Sequence, residues 1–235
     1  RDLYALEEEY SQNEDRRAQI DELSKRPRSP QQIIHSMGTT EMCLRALELA
    51  AHNTQNSALK VLDYGCGGGY HLKLMSSISP SQAFGYAPYD YDAREIHKTH
   101  PTIPIISTPE DLETHGPFDL IWCNQVLEHV PRFQTCIDEF HRVLKRDGYL
   151  LFSSPVFWPE HKHPFDMWRF MPDSLPVIFS CFRYMIFQGA HGNANMIREL
   201  LVHPGRFNKN PTLMKYVMEA SEALWPVYSW AVVQK

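Results

Sequence analysis

The chain has 235 residues, of which 43% are hydrophobic and 22% are charged, and its formal net charge is −5. This length suits one α/β domain with additions, and the composition is that of an ordinary globular protein without a run of about 18 apolar residues for a membrane span. The densest basic stretch, at 25–28, is short and contains a proline. The charge pattern therefore argues against a nucleic-acid partner, whose phosphates require clustered Lys and Arg.

The first 57 residues are predicted to form helices that cap the rest of the chain. Leu3, Leu6 and Tyr10 recur at roughly helical intervals within residues 1–25, which are rich in Glu, Arg and Gln. A second helix is expected over about 39–53, where leucines supply a broad apolar face. Because the chain begins with arginine instead of methionine, we expect it to be a fragment or a domain of a longer protein.

From residue 58 onward, short apolar runs alternate with segments of helical periodicity. This alternation predicts a parallel sheet with helices on both faces. The strands are expected near 59–64, 82–87, 103–107, 118–124 and 149–154, and the helices near 69–77, 91–98, 109–113 and 132–145.

The alternation stops at 156–173, where two Trp, three Phe and two His lie among three prolines. We interpret this segment as an insertion at the acceptor site. Beyond it, strands are expected near 182–188 and 228–233, a loop-rich stretch over 189–210 and a helix over 211–224. The five cysteines are scattered and form no C-x-x-C pair, which predicts free thiols in a reducing, cytoplasmic compartment and no zinc site.

A glycine-dense turn follows the first predicted strand. Asp63 lies near the end of this strand, and glycines then occupy positions 65, 67, 68 and 69 before the next helix. Glycine permits positive φ angles and a close approach of ligand atoms to the backbone, so the turn indicates a nucleotide-like ligand. The dinucleotide fingerprint G-x-G-x-x-G fails because its third glycine is replaced by Tyr70, and no phosphate-binding G-x-x-x-x-G-K-[ST] occurs.

Two further blocks follow in order, PFDLIWCNQVLEHV at 117–130 and FHRVLKRDGYLLFSSP at 140–155. With the glycine turn they resemble the class I S-adenosylmethionine-dependent methyltransferases, in the small-molecule branch that contains ubiquinone-type and sugar enzymes. The resemblance implies a Rossmann-like, doubly wound α/β fold with a mostly parallel seven-stranded sheet, an antiparallel C-terminal hairpin and helices on both faces. It also implies that residues 58–235 form the methyltransferase core and that S-adenosylmethionine is the cofactor, leaving as S-adenosylhomocysteine.

The resemblance also implies which residues bind the cofactor, at the carboxyl ends of the strands. The acid that holds the ribose in the family is replaced here by Ala87, so Asp90, or else a water-mediated or backbone substitute, is expected in its place. Glu110 or Asp111 is a candidate for the adenine, although both would also favour a helix N-terminus through its dipole. The predicted set is Asp63, Gly65, Cys66, Gly67, Tyr70, Asp90, Glu110, Asn124 and Gln125.

The stretch WPEHKHPFDMWRF at 158–170 is similar to a segment of methyltransferases linked to glycan assembly. It implies aromatic rings that stack on a sugar and polar groups that bond its hydroxyls. His163 is the first candidate for the general base, followed by His129, which could instead be part of the scaffold. Asp166 is the third predicted catalytic residue, and the predicted acceptor-binding residues are Glu128, Trp158, Trp168 and Arg169.

Two other interpretations of this segment remain open. It could be a structural lid in which Asp166 and Arg169 pair with each other. His161, His163 and Asp166 could also hold a divalent metal, although short spacing of three ligands is nonspecific and a metal is not favoured.

The sequence thus predicts methyl transfer to a hydroxyl of a sugar, on a glycan or glycoconjugate, by a domain fused to glycosyltransferase domains in a longer chain. One alternative is O- or N-methylation of another small molecule, such as a phenol, a quinone precursor or an amine. The other is a module that binds the cofactor without catalysis.

Overall fold

The computed structural model describes only part of the chain: residues 46, 49–50, 59–67, 69, 71, 82–87, 98, 102–162, 165–202 and 224–235. The helices predicted at 1–25 and 211–224 lie outside these residues, except for Leu224 at the end of the second. The helices predicted at 39–53, 69–77 and 91–98 are represented by single helical residues, among them Ala46, His71 and Lys98.

A seven-stranded sheet forms the centre of the described part of the chain. Its order is β3-β2-β1-β4-β5-β7-β6, with parallel pairing from β3 to β5 and antiparallel pairing of β7 with both β5 and β6. The doubly wound fold with a C-terminal antiparallel hairpin is therefore confirmed. The strands are β1 (Lys60–Tyr64), β2 (Gln82–Tyr86), β3 (Ile105–Ile106), β4 (Phe118–Asn124), β5 (Leu144–Pro155), β6 (Tyr184–His191) and β7 (Tyr228–Gln234).

Four α-helices are described in full beside this sheet: α1 (Pro109–His115), α2 (Phe133–Val143), α3 (Leu175–Ile178) and α4 (Ala194–Val202). Short 3₁₀ turns occupy Leu127–His129 and Pro172–Ser174. Helix α4 corrects the prediction of a loop-rich stretch at 189–210. The side chain of Asn193 accepts a hydrogen bond from the Met196 backbone N–H at 2.9 Å, as a helix N-cap does. The apolar side chains of Met196, Ile197 and Leu200 are then buried together, so packing outweighs the Gly- and Asn-rich local composition.

Both faces of the sheet are buried, which explains the near-continuous apolar character of its central strands. Side chains of β4 alternate between the two layers, with Trp122 on one side and Ile121 on the other. The carboxyl ends of β1, β4 and β5 therefore form a firmly supported edge. That edge is where ligands bind in open α/β sheets.

Among the described residues, no helix combines the length and the apolar character that a membrane crossing needs. The cysteines of the described part are free thiols: Cys66, Cys123, Cys136 and Cys181. Cys43 lies outside it.

Candidate functional site

The turn after β1 is fixed to the neighbouring strand by its own backbone. The N–H groups of Gly65 and Cys66 both donate to the Tyr86 carbonyl, at 3.0 and 3.2 Å. Gly65, Gly67 and Gly69 have φ angles of +75°, +46° and +79°, a region that side chains rarely allow. At Gly67 no described atom lies within 4 Å of the position where a Cβ would stand. Among the described residues, none covers the turn at Gly67, and such bare backbone is what a ligand cradle requires.

Asp63, the second-last residue of β1, has a carboxyl group that the described residues do not fully satisfy with hydrogen bonds. The residue is only 1% exposed, and its Oδ2 accepts no hydrogen bond from the residues that the structure describes. Burial raises the pKa of Asp63 to about 8. A buried acceptor beside an open glycine turn suits a ligand that brings donors or positive charge. The ammonium group of the amino acid part of S-adenosylmethionine has this character, so the residues present fit that cofactor.

A polar network joins the ends of β4 and β5. The Ser153 hydroxyl donates to Oδ1 of Asn124 and accepts from Nε2 of Gln125, the latter at 3.3 Å. The Gln125 backbone, at a φ of +56°, also donates to the Ser153 carbonyl at 2.9 Å. Asn124 and Gln125 are thus held at the sheet edge where the sequence placed them.

His71 extends this network toward the glycine turn, and sequence reasoning missed it. Its ring stacks on Trp122 with the ring centroids 4.5 Å apart, and its Nε2 lies 3.4 Å from Nδ2 of Asn124. Burial lowers the pKa of His71 to about 4, so the ring is neutral near pH 7. A neutral imidazole can accept from the Asn124 amide, which orients that amide.

A carboxylate and two imidazoles meet just beyond β4, in what we call the Glu128 cluster: Glu128, His129 and His161. Glu128 is fully buried, and its Oε2 accepts from the Ser154 hydroxyl at 3.2 Å. Its Oε1 lies 3.5 Å from Nε2 of His161 and 3.7 Å from Nε2 of His129. From the sequence, Glu128 and His129 were predicted to lie at the acceptor site, whereas His161 was a candidate only as a metal ligand.

The Nδ1 atom of each imidazole, on the side away from Glu128, lies next to a group of the segment that follows β5. Nδ1 of His129 bonds the Phe165 carbonyl, which can only accept, so Nδ1 carries the proton. Nδ1 of His161 lies 3.1 Å from Oδ2 of Asp166. The Glu128 carboxylate, followed by that of Asp166, raises the pKa of His161. Both rings therefore turn their Nε2 atoms toward Glu128.

Asp166 and Arg169 are paired with each other, as the lid interpretation proposed. Two guanidinium nitrogens of Arg169 donate to the two carboxylate oxygens, one of these bonds measuring 2.8 Å, and the His161 backbone N–H adds a bond of 2.9 Å. The Arg169 guanidinium holds the pKa of Asp166 well below its usual range. Two further bonds fasten the segment to the turn after β4, from the Met167 N–H to the Glu128 carbonyl and from the Trp168 indole to the Val130 carbonyl.

The other predicted residues have the following positions. The Trp158 ring packs on Tyr228 and the Trp168 ring on Phe133, with centroid distances of 5.2 and 5.3 Å. Glu110 is exposed in the first turn of α1. The predictions for Tyr70, Asp90 and His163 lie outside the described residues.

Comparison with known proteins identifies the class to which this fold and site belong. A family model described as a methyltransferase domain matches residues 18–183, and the chain therefore belongs to that family. It is similar to the ubiquinone biosynthesis O-methyltransferase of Xylella fastidiosa strain 9a5c, with 31% identity over 138 residues covering 54% of this chain and 52% of the relative. The corresponding protein of Xanthomonas oryzae pv. oryzae strain PXO99A is 28% identical over 131 residues, or 53% of each chain. The chain thus spans about half the length of these curated relatives.

Solved structures agree on the fold. The plantazolicin methyltransferase BamL, in complex with a triazolic desmethylPZN analogue and S-adenosylhomocysteine, aligns with a TM-score of 0.57 and 11% identity over 96% of this chain and 92% of its own. An S-adenosylmethionine-dependent methyltransferase from Archaeoglobus fulgidus aligns with a TM-score of 0.53 and 16% identity over 83% of this chain and 94% of its own. The fold is that of S-adenosylmethionine-dependent methyltransferases, and S-adenosylmethionine is the cofactor of this class.

Proposed function

We propose that this chain transfers a methyl group from S-adenosylmethionine to a phenolic hydroxyl of a small aromatic molecule of the quinone-precursor class. The observation that carries the proposal is the 31% identity with an O-methyltransferase of ubiquinone biosynthesis. The Glu128 cluster supports it, because an O-methyltransferase gains from polar groups that help a hydroxyl lose its proton.

A phenol is preferred over the sugar that the sequence suggested. The sugar interpretation used aromatic rings to stack on the sugar and His163, Asp166 and Arg169 to bond its hydroxyls, and His163 lies outside the described residues. The Asp166 side chain is fully buried and bonds Arg169, and the Arg169 guanidinium also donates to the carbonyls of Trp158 and Trp168. Both side chains therefore already have protein partners, and a flat phenol needs fewer hydroxyl contacts than a sugar.

The reaction is a displacement at carbon. When bound, the cofactor supplies a methyl group on a positively charged sulfur; the acceptor oxygen forms the new C–O bond, the S–C bond breaks with its electrons going to sulfur, and the hydroxyl proton is released. The glycine turn and Asp63 would hold the amino acid part, and the network of Asn124, Gln125 and Ser153 would fix the sheet edge beside it. Orientation of this kind can supply several kcal/mol of the barrier reduction.

The Glu128 cluster is where we place the acceptor hydroxyl. It follows the carboxyl end of β4 directly, and it combines a fully buried carboxylate with two imidazoles whose Nε2 atoms face inward. Loss of the hydroxyl proton raises the electron density on the attacking oxygen. Replacement of His129 by Ala should therefore lower the turnover rate by about 10²-fold or more.

The test is release of S-adenosylhomocysteine by the full chain with three groups of acceptors: catechols and phenols such as 3,4-dihydroxybenzoate, a set of glycosides including rhamnosides, and simple amines. The dimethyl ether of each catechol serves as the matched control because it has the same ring without a free hydroxyl. Turnover with phenols and none with their ethers supports the proposal. Turnover only with glycosides or amines, or cofactor binding without any turnover, overturns it.

A further inference from the structure

The geometry of the Glu128 cluster points to a binding site for a divalent first-row transition-metal cation, with Oε1 of Glu128 and the Nε2 atoms of His129 and His161 as its three ligands. One possible ligand atom from each of the three side chains lies within 4.8 Å of the other two. The metal site left open by the sequence analysis used a different set of ligands, His161, His163 and Asp166. The new set depends on a contact between the turn after β4 and the segment after β5.

Two of the distances between the donor atoms are close to those of an occupied site. Two ligands at about 2.1 Å from a tetrahedral cation are about 3.4 Å apart. The Glu128 oxygen lies 3.5 Å from one imidazole nitrogen and 3.7 Å from the other. These two separations are longer than a good hydrogen bond and close to the spacing of two ligands on one cation.

The groups around the ligands are those that orient metal-binding histidines. A ligating imidazole donates its other N–H to a carbonyl or carboxylate, which fixes the ring and makes the free nitrogen a better donor. His129 has the Phe165 carbonyl in this role, and the Asp166 carboxylate lies 3.1 Å from Nδ1 of His161. The second oxygen of Glu128 is fixed by the Ser154 hydroxyl at 3.2 Å. Hydrogen bonds thus orient His129 and Glu128, and the negative charge of Asp166 lies next to the outer nitrogen of His161.

The ligand types indicate which cations suit the site. Two imidazoles and one carboxylate favour Fe²⁺, Co²⁺, Zn²⁺ or Mn²⁺, whereas Mg²⁺ and Ca²⁺ prefer oxygen ligands alone. Three protein ligands leave at least one coordination position open, as in catalytic metal sites. Glu128 is fully buried, while the side chains of His129 and His161 are 12% and 26% exposed, so the open position faces the accessible side.

This site would change how the acceptor is activated. A phenol bound at the open position would lose its proton more readily because the cation stabilises the phenolate, and the two histidines would act as ligands instead of bases. A catechol, with two neighbouring oxygens, could occupy two positions. This role in the reaction rests on the proposed function, but cation binding by the three side chains does not.

Binding can be measured with Co²⁺ alone, without cofactor or acceptor. The full chain, freed of metal by chelation and dialysis, is titrated with Co²⁺ while its visible absorption is recorded. We expect one equivalent to give ligand-field bands, His161→Ala and Glu128→Gln to lose them, and Asp166→Asn to bind about 10- to 100-fold more weakly. His115→Ala is the matched control. His115 ends α1 just before β4 begins, near the amino ends of the strands, whereas the Glu128 cluster lies at their carboxyl ends. This variant should bind Co²⁺ as the wild type does.

The variants must be shown to be folded, and circular dichroism with a thermal melt supplies that check. Absence of bands in the folded wild-type chain at millimolar Co²⁺ overturns the inference. Equal binding by wild type and folded His161→Ala overturns it as well. Because the titration contains no acceptor, failure of the proposed methylation leaves this measurement intact, and failure of Co²⁺ binding leaves the methylation assay intact.

Discussion

A methyl group placed on Gly65 would lie 2.6 Å from Cγ2 of Val126. The turn after β1 and the segment after β4 are therefore in direct contact at the carboxyl edge of the sheet. Val126 immediately precedes the 3₁₀ turn that carries Glu128 and His129. The glycine turn and the Glu128 cluster are thus built on adjoining backbone.

We expect Gly65→Ala to lower the free energy of unfolding by about 2 kcal/mol or more, because it adds a steric clash to an unfavourable positive φ. Gly67→Ala is the matched control, since it has a positive φ without a described atom within 4 Å and should cost about 1 kcal/mol. Its added methyl group should nevertheless weaken cofactor binding. Urea unfolding and calorimetric titration with S-adenosylhomocysteine measure the two effects. Equal stability losses would contradict the clash, whereas partial rescue of Gly65→Ala by Val126→Ala would support it.

Asp63→Asn should raise the stability of the folded chain and weaken its binding of the cofactor. The pKa of Asp63 in the folded chain is raised to about 8 from an ordinary value of 3.8, so the stability that goes with its protonated form is complete below about pH 4 and is lost as the pH rises through 8. An asparagine has no such loss. We therefore expect the variant, without cofactor, to be more stable than the wild type at pH 8 by on the order of 2 kcal/mol, and this advantage to shrink toward pH 4.

The same variant should bind S-adenosylmethionine at least about tenfold more weakly, because the carboxylate charge is lost. Urea unfolding at pH 5 and pH 8, with calorimetry at pH 8, gives both quantities. Asp119→Asn is the contrasting variant: its carboxylate accepts from the Lys60 N–H and from the Lys145 ammonium, all at 2.8 Å, so its removal should lower stability at pH 8. An Asp63→Asn variant that is less stable than the wild type at pH 8 would contradict the account of Asp63.

Ser153→Ala should lower both the stability of the chain and its affinity for the cofactor. It removes a donor to Asn124 and an acceptor for Gln125, which should lower the free energy of unfolding by about 1–3 kcal/mol. Ser229→Ala is a matched change of a buried serine that bonds the Phe170 carbonyl at 2.6 Å. We expect a similar stability loss there with unchanged affinity for S-adenosylhomocysteine. Loss of affinity in both variants would argue against a specific role for the β4–β5 network.

Arg169→Lys should loosen the segment after β5 although it keeps the charge. A lysine cannot reproduce the two parallel bonds from the guanidinium to Asp166, nor the bonds to the Trp158 and Trp168 carbonyls. We expect faster proteolytic cleavage within 157–170 and a smaller loss of global stability, about 1 kcal/mol. Arg183→Lys is the control, since Arg183 lies beside β6 and contacts the Tyr184 ring. Cleavage at the wild-type rate in Arg169→Lys would contradict the structural role of this pair.

The elements that sequence predicted well are those with a local cause. The strand and glycine turn at Asp63 are recognisable because positive φ angles and apolar runs leave a direct mark on residue type. Helix α4 was missed because its cause is not local: Met196 and Leu200 become a helix face only by packing with Val227 and Tyr228. Local composition there suggested a loop, and burial decided otherwise.

By itself, the sequence determined the class of fold, the glycine turn after the first strand and the position of Glu128 and His129 after the fourth strand, because each follows from residues that are neighbours in the chain. Only the tertiary structure decided that His161 meets Glu128, that Asp166 is engaged by Arg169, and that His71 joins Asn124. These pairings depend on where the chain returns to the edge of the sheet after each crossover. Side-chain convergence is set by that packing, and no short stretch of sequence records it.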